Sequence, residues 1–415
     1  MPETGMRIAV ITSSYPRFEG DGAAPFVQSI CEQLVQEGHQ VEVLAPYDEL
    51  ARPMRTHGVS LHRFRYAPFK QWHIMGHARS LVADVRLRPL AVLLLPFFLA
   101  AAFWQLWKIT GRQKSQAVYA HWVIPNGPPA AMVAGLRHIP LMISLHGSDI
   151  FLARSNFVYR AVAGWVFRRA AAVTACSPEL RQRAIEMGAN DATRLLAWGA
   201  DPELFHPLAD KESVRQGYGF SGQDLILVAL GRMVYKKGFD VLLKAFRPIA
   251  AACPQARLVI GGDGPLNWPL HQLATELGIE SSVVFPGKIA WDRVPQFLGM
   301  ADIFVLPSVR DLKGNVDGLP TVLLEAMGCG LAVVASDIGG VRLAVEDGVN
   351  GLVVPPGDAA ALEATLSRLI AGRTDRAALG QGARQSVVER LNWHTVATCL
   401  AALVEPAIQQ AEVDH

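Results

Sequence analysis

Arg232 and Lys237 lie in the run Gly231-Arg232-Met233-Val234-Tyr235-Lys236-Lys237-Gly238, which follows one apolar stretch and precedes another beginning near Phe239. A planar fork of donors and a mobile point charge, carried on a loop between strand and helix, suit a diphosphate that gains negative charge as a bond to it breaks. The plain structural alternative is a solvated helix start, because cations on exposed loops are common. Asp317 to Met327 (DGLPTVLLEAM) reads as a loop feeding a buried helix with Pro320 in its first turn. Amides and dipole at such a start favour phosphate. Glu325, read as two turns beyond Asp317 on the same face, can accept hydrogen bonds from ribose or sugar hydroxyls. The alternative there is that Glu325 caps a neighbouring backbone group, since buried carboxylates are rarely unpaired.

His146-Gly147-Ser148-Asp149 follows the apolar run Leu141 to Leu145. A histidine at a strand end can hydrogen-bond a sugar hydroxyl, or stabilise positive charge at an anomeric carbon through its carbonyl. A lone histidine is equally at home as a structural residue. The early loop Phe18-Glu19-Gly20-Asp21-Gly22-Ala23 precedes a helix expected over Pro25 to Gln36, and its glycines let backbone approach a ligand closely. It is not a dinucleotide fingerprint, because Pro25 stands where the third glycine of G-x-G-x-x-G belongs and the motif lies too far beyond the first strand.

These loops need elements to hold them. Short β-rich runs alternate with helical stretches along the whole chain, the pattern of parallel sheets flanked by helices, so the fold class is α/β. Strands are expected at Arg7 to Thr12, Gln40 to Leu44, Val59 to Phe64, Ala117 to Ala120, Leu141 to Leu145 and Ala172 to Ala175. A second series runs Leu225 to Leu230, Arg257 to Ile260, Val283 to Phe285, Ile303 to Leu306, Ala332 to Ala335 and Gly351 to Val353. Trp198 to Gly222, rich in Gly, Pro and charge, reads as a linker, with the domain boundary near Pro207. The expected domains are therefore 1–207 and 208–394. Ligands of doubly wound folds bind beyond the carboxyl ends of the strands, so the active site is expected at a cleft shared by the two sheets.

The chain has 415 residues, which suits two domains of about 200 residues each. With 51% hydrophobic residues, 18% charged and a net charge of +2, it is neither disordered nor drawn to nucleic acid by global charge. The five cysteines are scattered and form no CxxC or Cys/His cluster, which points to a reduced compartment, and no signal peptide is visible at the start. A cytoplasmic location is expected.

With these motifs the sequence resembles the family 4 retaining glycosyltransferases, which have two facing Rossmann-like domains in the GT-B fold. The resemblance covers nearly the whole chain. It rests on the early Gly loop, on His146 to Asp149, on Gly231-Arg232 with Lys237-Gly238, on Gly262-Asp263-Gly264-Pro265, and on Asp317 to Glu325. The family's two acidic residues are separated by seven others, as Asp317 and Glu325 are, but Asp317 stands where the family usually has Glu. The resemblance implies that Arg232 and Lys237 bind the diphosphate, Glu325 the ribose, Asp317 the sugar hydroxyls, and His146 the sugar near the reacting carbon. It further implies Gly22 at the phosphates, amides of Thr321 and Val322 at the diphosphate, and backbone of Gly287, Lys288 and Ile289 at the base. The donor would be a nucleoside diphosphate sugar, and the acceptor a glycan or lipid-linked molecule in cell-surface polysaccharide or glycolipid synthesis. No metal or other cofactor is expected, as there is no Asp-x-Asp motif. A last helix, about Thr395 to Gln410, would return to the first domain. At Gly340-Val341-Arg342-Leu343 the family's usual Pro-Glu is missing. Rivals from other classes are a sugar-nucleotide epimerase of the same fold, a phosphorylase-like enzyme and a scaffold without catalysis.

Pro89 to Trp107 (PLAVLLLPFFLAAAFWQLW) is apolar except for Gln105 and is interrupted by Pro96. It falls between expected strands of one sheet, so a full membrane crossing would split the first domain. Two readings stand: a helix lying on the inner face of the membrane, flanked by Arg86, Arg88, Lys108, Arg112 and Lys114, or a helix buried in the core.

Overall fold

The computed structural model describes residues 5–77, 81–83, 86–87, 89–154, 156–312 and 314–413. Arg88, expected to flank the apolar segment, and the first four residues lie outside them. The chain divides into two compact units, Met1–Leu196 with Trp393–His415, and Ala197–Asn392.

In the first unit the strands are β1 (Arg7–Ile11), β2 (Gln40–Pro46), β3 (Ser60–Phe64), β4 (Leu81–Ala83), β5 (Arg86–Leu87), β6 (Ala117–His121), β7 (Leu141–Leu145), β8 (Ala172–Ala175) and β9 (Arg194–Leu195). Seven of them form a parallel sheet in the order β3-β2-β1-β6-β7-β8-β9, while β4 and β5 pair antiparallel. The order reverses between β1 and β6. Helices α1 (Pro25–Gln36), α2 (Pro89–Arg112) and α3 (Val123–Arg137) lie in the crossovers. Pro25, whose fixed φ suits a first turn, opens α1, and Gly38 just beyond it takes a φ of 91° that other residues resist. The closing helix Trp393–Val413 packs on α1, with Thr398 donating to Glu37 at 2.7 Å.

The second unit contains β10 (Leu225–Leu230), β11 (Ala256–Gly261), β12 (Val283–Val284), β13 (Ile303–Leu306), β14 (Ala332–Ser336) and β15 (Leu352–Val354), ordered β12-β11-β10-β13-β14-β15 and parallel throughout. Apolar residues fill β10 and β13 and all of β14 but its last position, Ser336, because helices cover both faces and leave no side of the sheet wet. Here the order reverses between β10 and β13. That is where the Gly231–Gly238 and Pro307–Pro320 loops emerge.

Three expectations need correction. The boundary does not fall at Pro207, because the segment before it is bonded to the second unit. Ala200 donates to the Leu391 carbonyl at 2.9 Å, Arg384 donates to the carbonyls of Pro202 and Phe205 at 2.8 and 2.6 Å, and Phe205 stacks near Trp291. The stretch read as a bare linker also holds a helix, Lys211–Gly217, capped by the Asp210 carboxylate on the Ser213 amide. Finally, Pro96 does not interrupt its helix: α2 runs unbroken through it. Only one ladder hydrogen bond is lost there, from the carbonyl of Val92 on the exposed side, where water can replace it.

Candidate active site

In the second unit, backbone bonds stitch together the loops at the strand ends. Met233 donates to the Asp263 carbonyl at 2.8 Å and Leu266 returns a bond to Met233 at 3.0 Å, joining the loops after β10 and β11. Gly262 donates to Gly287 at 2.8 Å, drawing in the loop after β12, and Val309 donates to Lys236 at 2.9 Å, drawing in the loop after β13. Gly238 is the tightest point: at φ 64° it lies against the Pro307 carbonyl, where any Cβ would collide. Arg232, Lys236 and Lys237 are thus held at the switch point of the sheet, where doubly wound folds bind ligands.

Asp317 meets the lysines there. Its carboxylate lies 2.7 Å from Lys237 Nζ and 3.2 Å from Lys236 Nζ, with the three side chains 13 to 17% exposed. Burial pushes the Asp317 carboxyl up, but Lys237 and Lys236 together outweigh it and bring it down to about 2. Asp317 also raises the proton affinity of Arg232, against the desolvation that lowers it. The expected placement of Asp317 on one helical face with Glu325 is wrong. The helix is Thr321–Gly328, with Pro320 as its N-cap, and Asp317 sits in the loop before it. Gly318-Leu319-Pro320 cannot begin a helix, because the residue before a proline is driven to extended backbone. That loop is fixed from behind by Gly339, packed against the Asp317 and Gly318 carbonyls where a Cβ has no room.

Glu325 is buried in the helix, 7% exposed, and takes a hydrogen bond from the Thr321 side chain. Burial dominates and pushes its carboxyl up to about 7. Thr321 and Val322 stand in the first turn, half-buried. Gly287 and Ile289 are half-buried and Lys288 exposed, in the loop tied to Gly262. The unexplained Arg342 forms a surface pair with Asp337, at 2.8 and 3.0 Å.

The first unit's strand ends look different. His146 follows β7, and Gly147 at φ 109° turns the chain sharply into the helix Ser148–Arg154. Its Nε2 is 3.1 Å from Nδ1 of His121, at the end of β6, and its ring lies 4.2 Å from Trp122 and 5.1 Å from Phe26 between centroids. Burial takes His121 down to about 3, and burial with the neighbouring His121 takes His146 well below its usual range, so both imidazoles are neutral at physiological pH. Asp149 organises the turn: its carboxylate accepts from the amides of Gly147 and Val123, each at 3.0 Å, joining the loops after β7 and β6. Burial raises its carboxyl to about 6, although these amides pull it down. Gly22, in the loop after β1, is exposed, and a Cβ there would meet nothing within 4 Å, so the chain itself does not require glycine at that position.

Sequence reasoning missed Lys236, His121 and Asp149. Lys236 is indistinguishable from its neighbour in a basic pair, and His121 closes a strand. Asp149, three residues beyond His146, has the spacing of a turn-capping carboxylate, a sign that was available. A further buried group beside the early loop was also missed: Arg17 pairs with Asp21 at 2.6 Å, and Arg63 Nη1, the Tyr15 hydroxyl and both ring nitrogens of His77 have no hydrogen-bond partner among the described residues.

Residues 210–386 match the family model for glycosyl transferases group 1, and residues 21–198 that for the glycosyl transferase 4-like domain. The chain is 34% identical over 283 residues to the GDP-mannose-dependent alpha-(1-6)-phosphatidylinositol monomannoside mannosyltransferase of Mycolicibacterium smegmatis, covering 66% of this chain and 72% of that one. The chain belongs to the group 1 glycosyltransferases. This transferase is also 23% identical, over 93% of each chain, to the N-acetyl-alpha-D-glucosaminyl L-malate synthase of Bacillus anthracis. Among solved structures, Anabaena HepE in complex with UDP and glucose superposes with a TM-score of 0.72 at 22% identity, covering 97% of this chain and 100% of that one. Sucrose-phosphate synthase from Thermosynechococcus elongatus gives 0.75 at 21%, covering 98% and 100%. The fold of the transferase is GT-B, as its two parallel-sheet α/β units require.

Proposed function

We propose that this glycosyltransferase carries a hexosyl or acetylhexosaminyl group from a nucleoside diphosphate sugar to a glycan or lipid-linked acceptor, with retention of anomeric configuration and without metal or other cofactor. The observation that carries the reading is the pairing of Lys236 and Lys237 with Asp317 at the switch point of the second sheet, within the electrostatic reach of Arg232. Two lysines about a single carboxylate, with the exposed Arg232 on the same loop, suit a ligand with at least two negative charges. As the bond from the sugar to the diphosphate breaks, its electron pair passes to the phosphate oxygen. Lys237 and Arg232 offset that charge, with amides of Thr321 and Val322. The acceptor oxygen bonds the anomeric carbon from the face the diphosphate leaves, and its proton goes to the departing phosphate oxygen. Glu325, on the helix that begins with Thr321 and Val322, receives the ribose hydroxyls, and backbone of Gly287, Lys288 and Ile289 borders the base. Asp317 faces the sugar hydroxyls while orienting the lysines, and the open space at Gly22 admits phosphate.

On the acceptor side, the neutral, aromatic-walled His146 binds the sugar near its reacting carbon. Such a wall suits a carbohydrate, which offers C–H faces and hydroxyls and no charge. The relatives that act on a phosphatidylinositol mannoside support a lipid-linked acceptor, and with it a place on the cytoplasmic face of a membrane. A panel of GDP-mannose, UDP-glucose and UDP-N-acetylglucosamine, read by release of nucleoside diphosphate with and without a membrane extract, tests the reading. Acceptor-dependent release from one donor supports it, and release from none overturns it.

A further inference from the structure

Helix α2 is apolar on two opposite sides. Toward the sheet it buries Ala91, Leu94, Phe98, Ala102 and Leu106, with the Phe98 ring 5.1 Å from Phe64 and 5.2 Å from Tyr66. The other side carries Val92, Leu93, Phe97 and Trp104 at 50, 65, 60 and 54% exposure, with Pro96 and Ala100 among them. Positions three, four and seven apart share one stripe of a helix, so these side chains form a single apolar ridge. Alongside, α3 packs on α2 and exposes Met132 and Leu136, its Arg137 guanidinium lying 3.6 Å over the Trp107 ring. A water-facing helix would put charge on that ridge, and a core helix would cover it.

Charge selects the occupant. From Val85 to Ser148 there is no Asp or Glu, while Arg86, Arg88, Lys108, Arg112, Lys114 and Arg137 fall in the same stretch. An apolar ridge within an acid-free, cation-bearing segment complements an anionic lipid surface. A crossing is excluded by packing: α2 is flanked by strands of the first unit and buries one whole side on that unit's sheet. We propose that the exposed face of α2 and α3 is a monotopic membrane-docking surface. Leu93, Phe97, Trp104 and Leu136 enter the interface of an anionic bilayer, and Lys108 and Arg112 sit among its headgroups. The proposal deepens, and rests on, the reading of an acceptor presented at the membrane.

Flotation with phosphatidylcholine vesicles, with and without phosphatidylglycerol, tests it. Wild type rises with the anionic vesicles, and less with the neutral ones. Phe97→Asp combined with Trp104→Asp lowers the floated fraction by about 10-fold, while circular dichroism and titration with GDP and UDP stay as in wild type. Should that variant fold poorly, Val92→Ser with Leu93→Ser is expected to lower flotation in the same direction. Lys108→Glu with Arg112→Glu is expected to remove the preference for anionic lipid. Equal flotation of wild type and the ridge variants overturns the proposal. So does a lipid-free wild-type dimer that the Phe97 and Trp104 changes dissociate, since the ridge would then bind a second copy. Flotation without nucleotide binding would sink the donor reading, and nucleotide binding without flotation the docking surface.

Discussion

The loops after β10 and β13 of the second unit bring two lysines onto one carboxylate, while the ends of β6 and β7 in the first present neutral rings. Lys236 and Lys237 pair with Asp317 in one, with Arg232 on the same loop, whereas neutral His121 and His146 stand among Phe26 and Trp122 in the other. The same fold supplies both, so the difference lies in the residues loaded onto equivalent loops. On the proposed function the difference follows the ligand: a diphosphate needs cations, and a sugar needs flat walls and neutral hydrogen-bonding groups.

The charged site should give the largest effects. Lys237→Ala and Glu325→Ala are each expected to lower transfer by at least ~100-fold, because each removes a donor partner from a partly dehydrated site. Initial rates at saturating donor measure this, and near-normal turnover in either variant would remove the donor site from these loops. His146→Ala should cost less, about 10-fold in kcat, and should leave nucleoside diphosphate affinity unchanged by calorimetry. A large loss of nucleotide affinity in that variant would erase the division between the two regions.

Glu325 sharpens the contrast through pH. Its carboxyl ionises at 4.5 in its unperturbed form and at about 7 when buried, so the empty protein loses stability as pH rises from about 4.5 to about 7. Glu325→Gln should remove that slope in denaturant titrations, and be the more stable protein above pH 7 by about 1–3 kcal/mol. Ribose hydroxyls favour the ionised carboxylate, so nucleoside affinity of the wild type should climb several-fold between pH 6 and pH 8. Adenosine, guanosine and uridine, which lack phosphates titrating in this range, are the ligands to use, and a flat profile would contradict ribose binding by Glu325. The smallest expected effect is none: EDTA should leave transfer unchanged, since lysines, Arg232 and amides do the work assigned elsewhere to metal. Loss of activity in EDTA with recovery on manganese would overturn this.

The parallel sheets were legible because β10 (LILVAL), β13 (IFVL) and β14 (AVVAS) are buried on both faces and read as nearly continuous apolar runs. Strands β4, β5 and β9, at two or three residues, are too short for a period to show. The linker helix Lys211–Gly217 is largely exposed, so little apolar pattern marks it beyond its Asp210 cap. Within the site, residue types were readable and pairings were not. The spacing of Asp317 and Glu325 imitates two helical turns, and only Pro320 betrays that the first lies in a loop. Whether α2 was core or surface could not be read from composition, because it is apolar on both sides.

The closing helix Trp393–Val413 belongs to the unit that begins the chain, resting on α1 through Glu37 and Thr398. The second unit, Ala197–Asn392, is by contrast one uninterrupted piece. During synthesis the second unit therefore has all its parts while the first is still waiting for the closing helix. The ribosome delivers the two halves in one order and completes them in the other. Until residue 393 and those after it emerge, the side of α1 that the closing helix covers stays open to water.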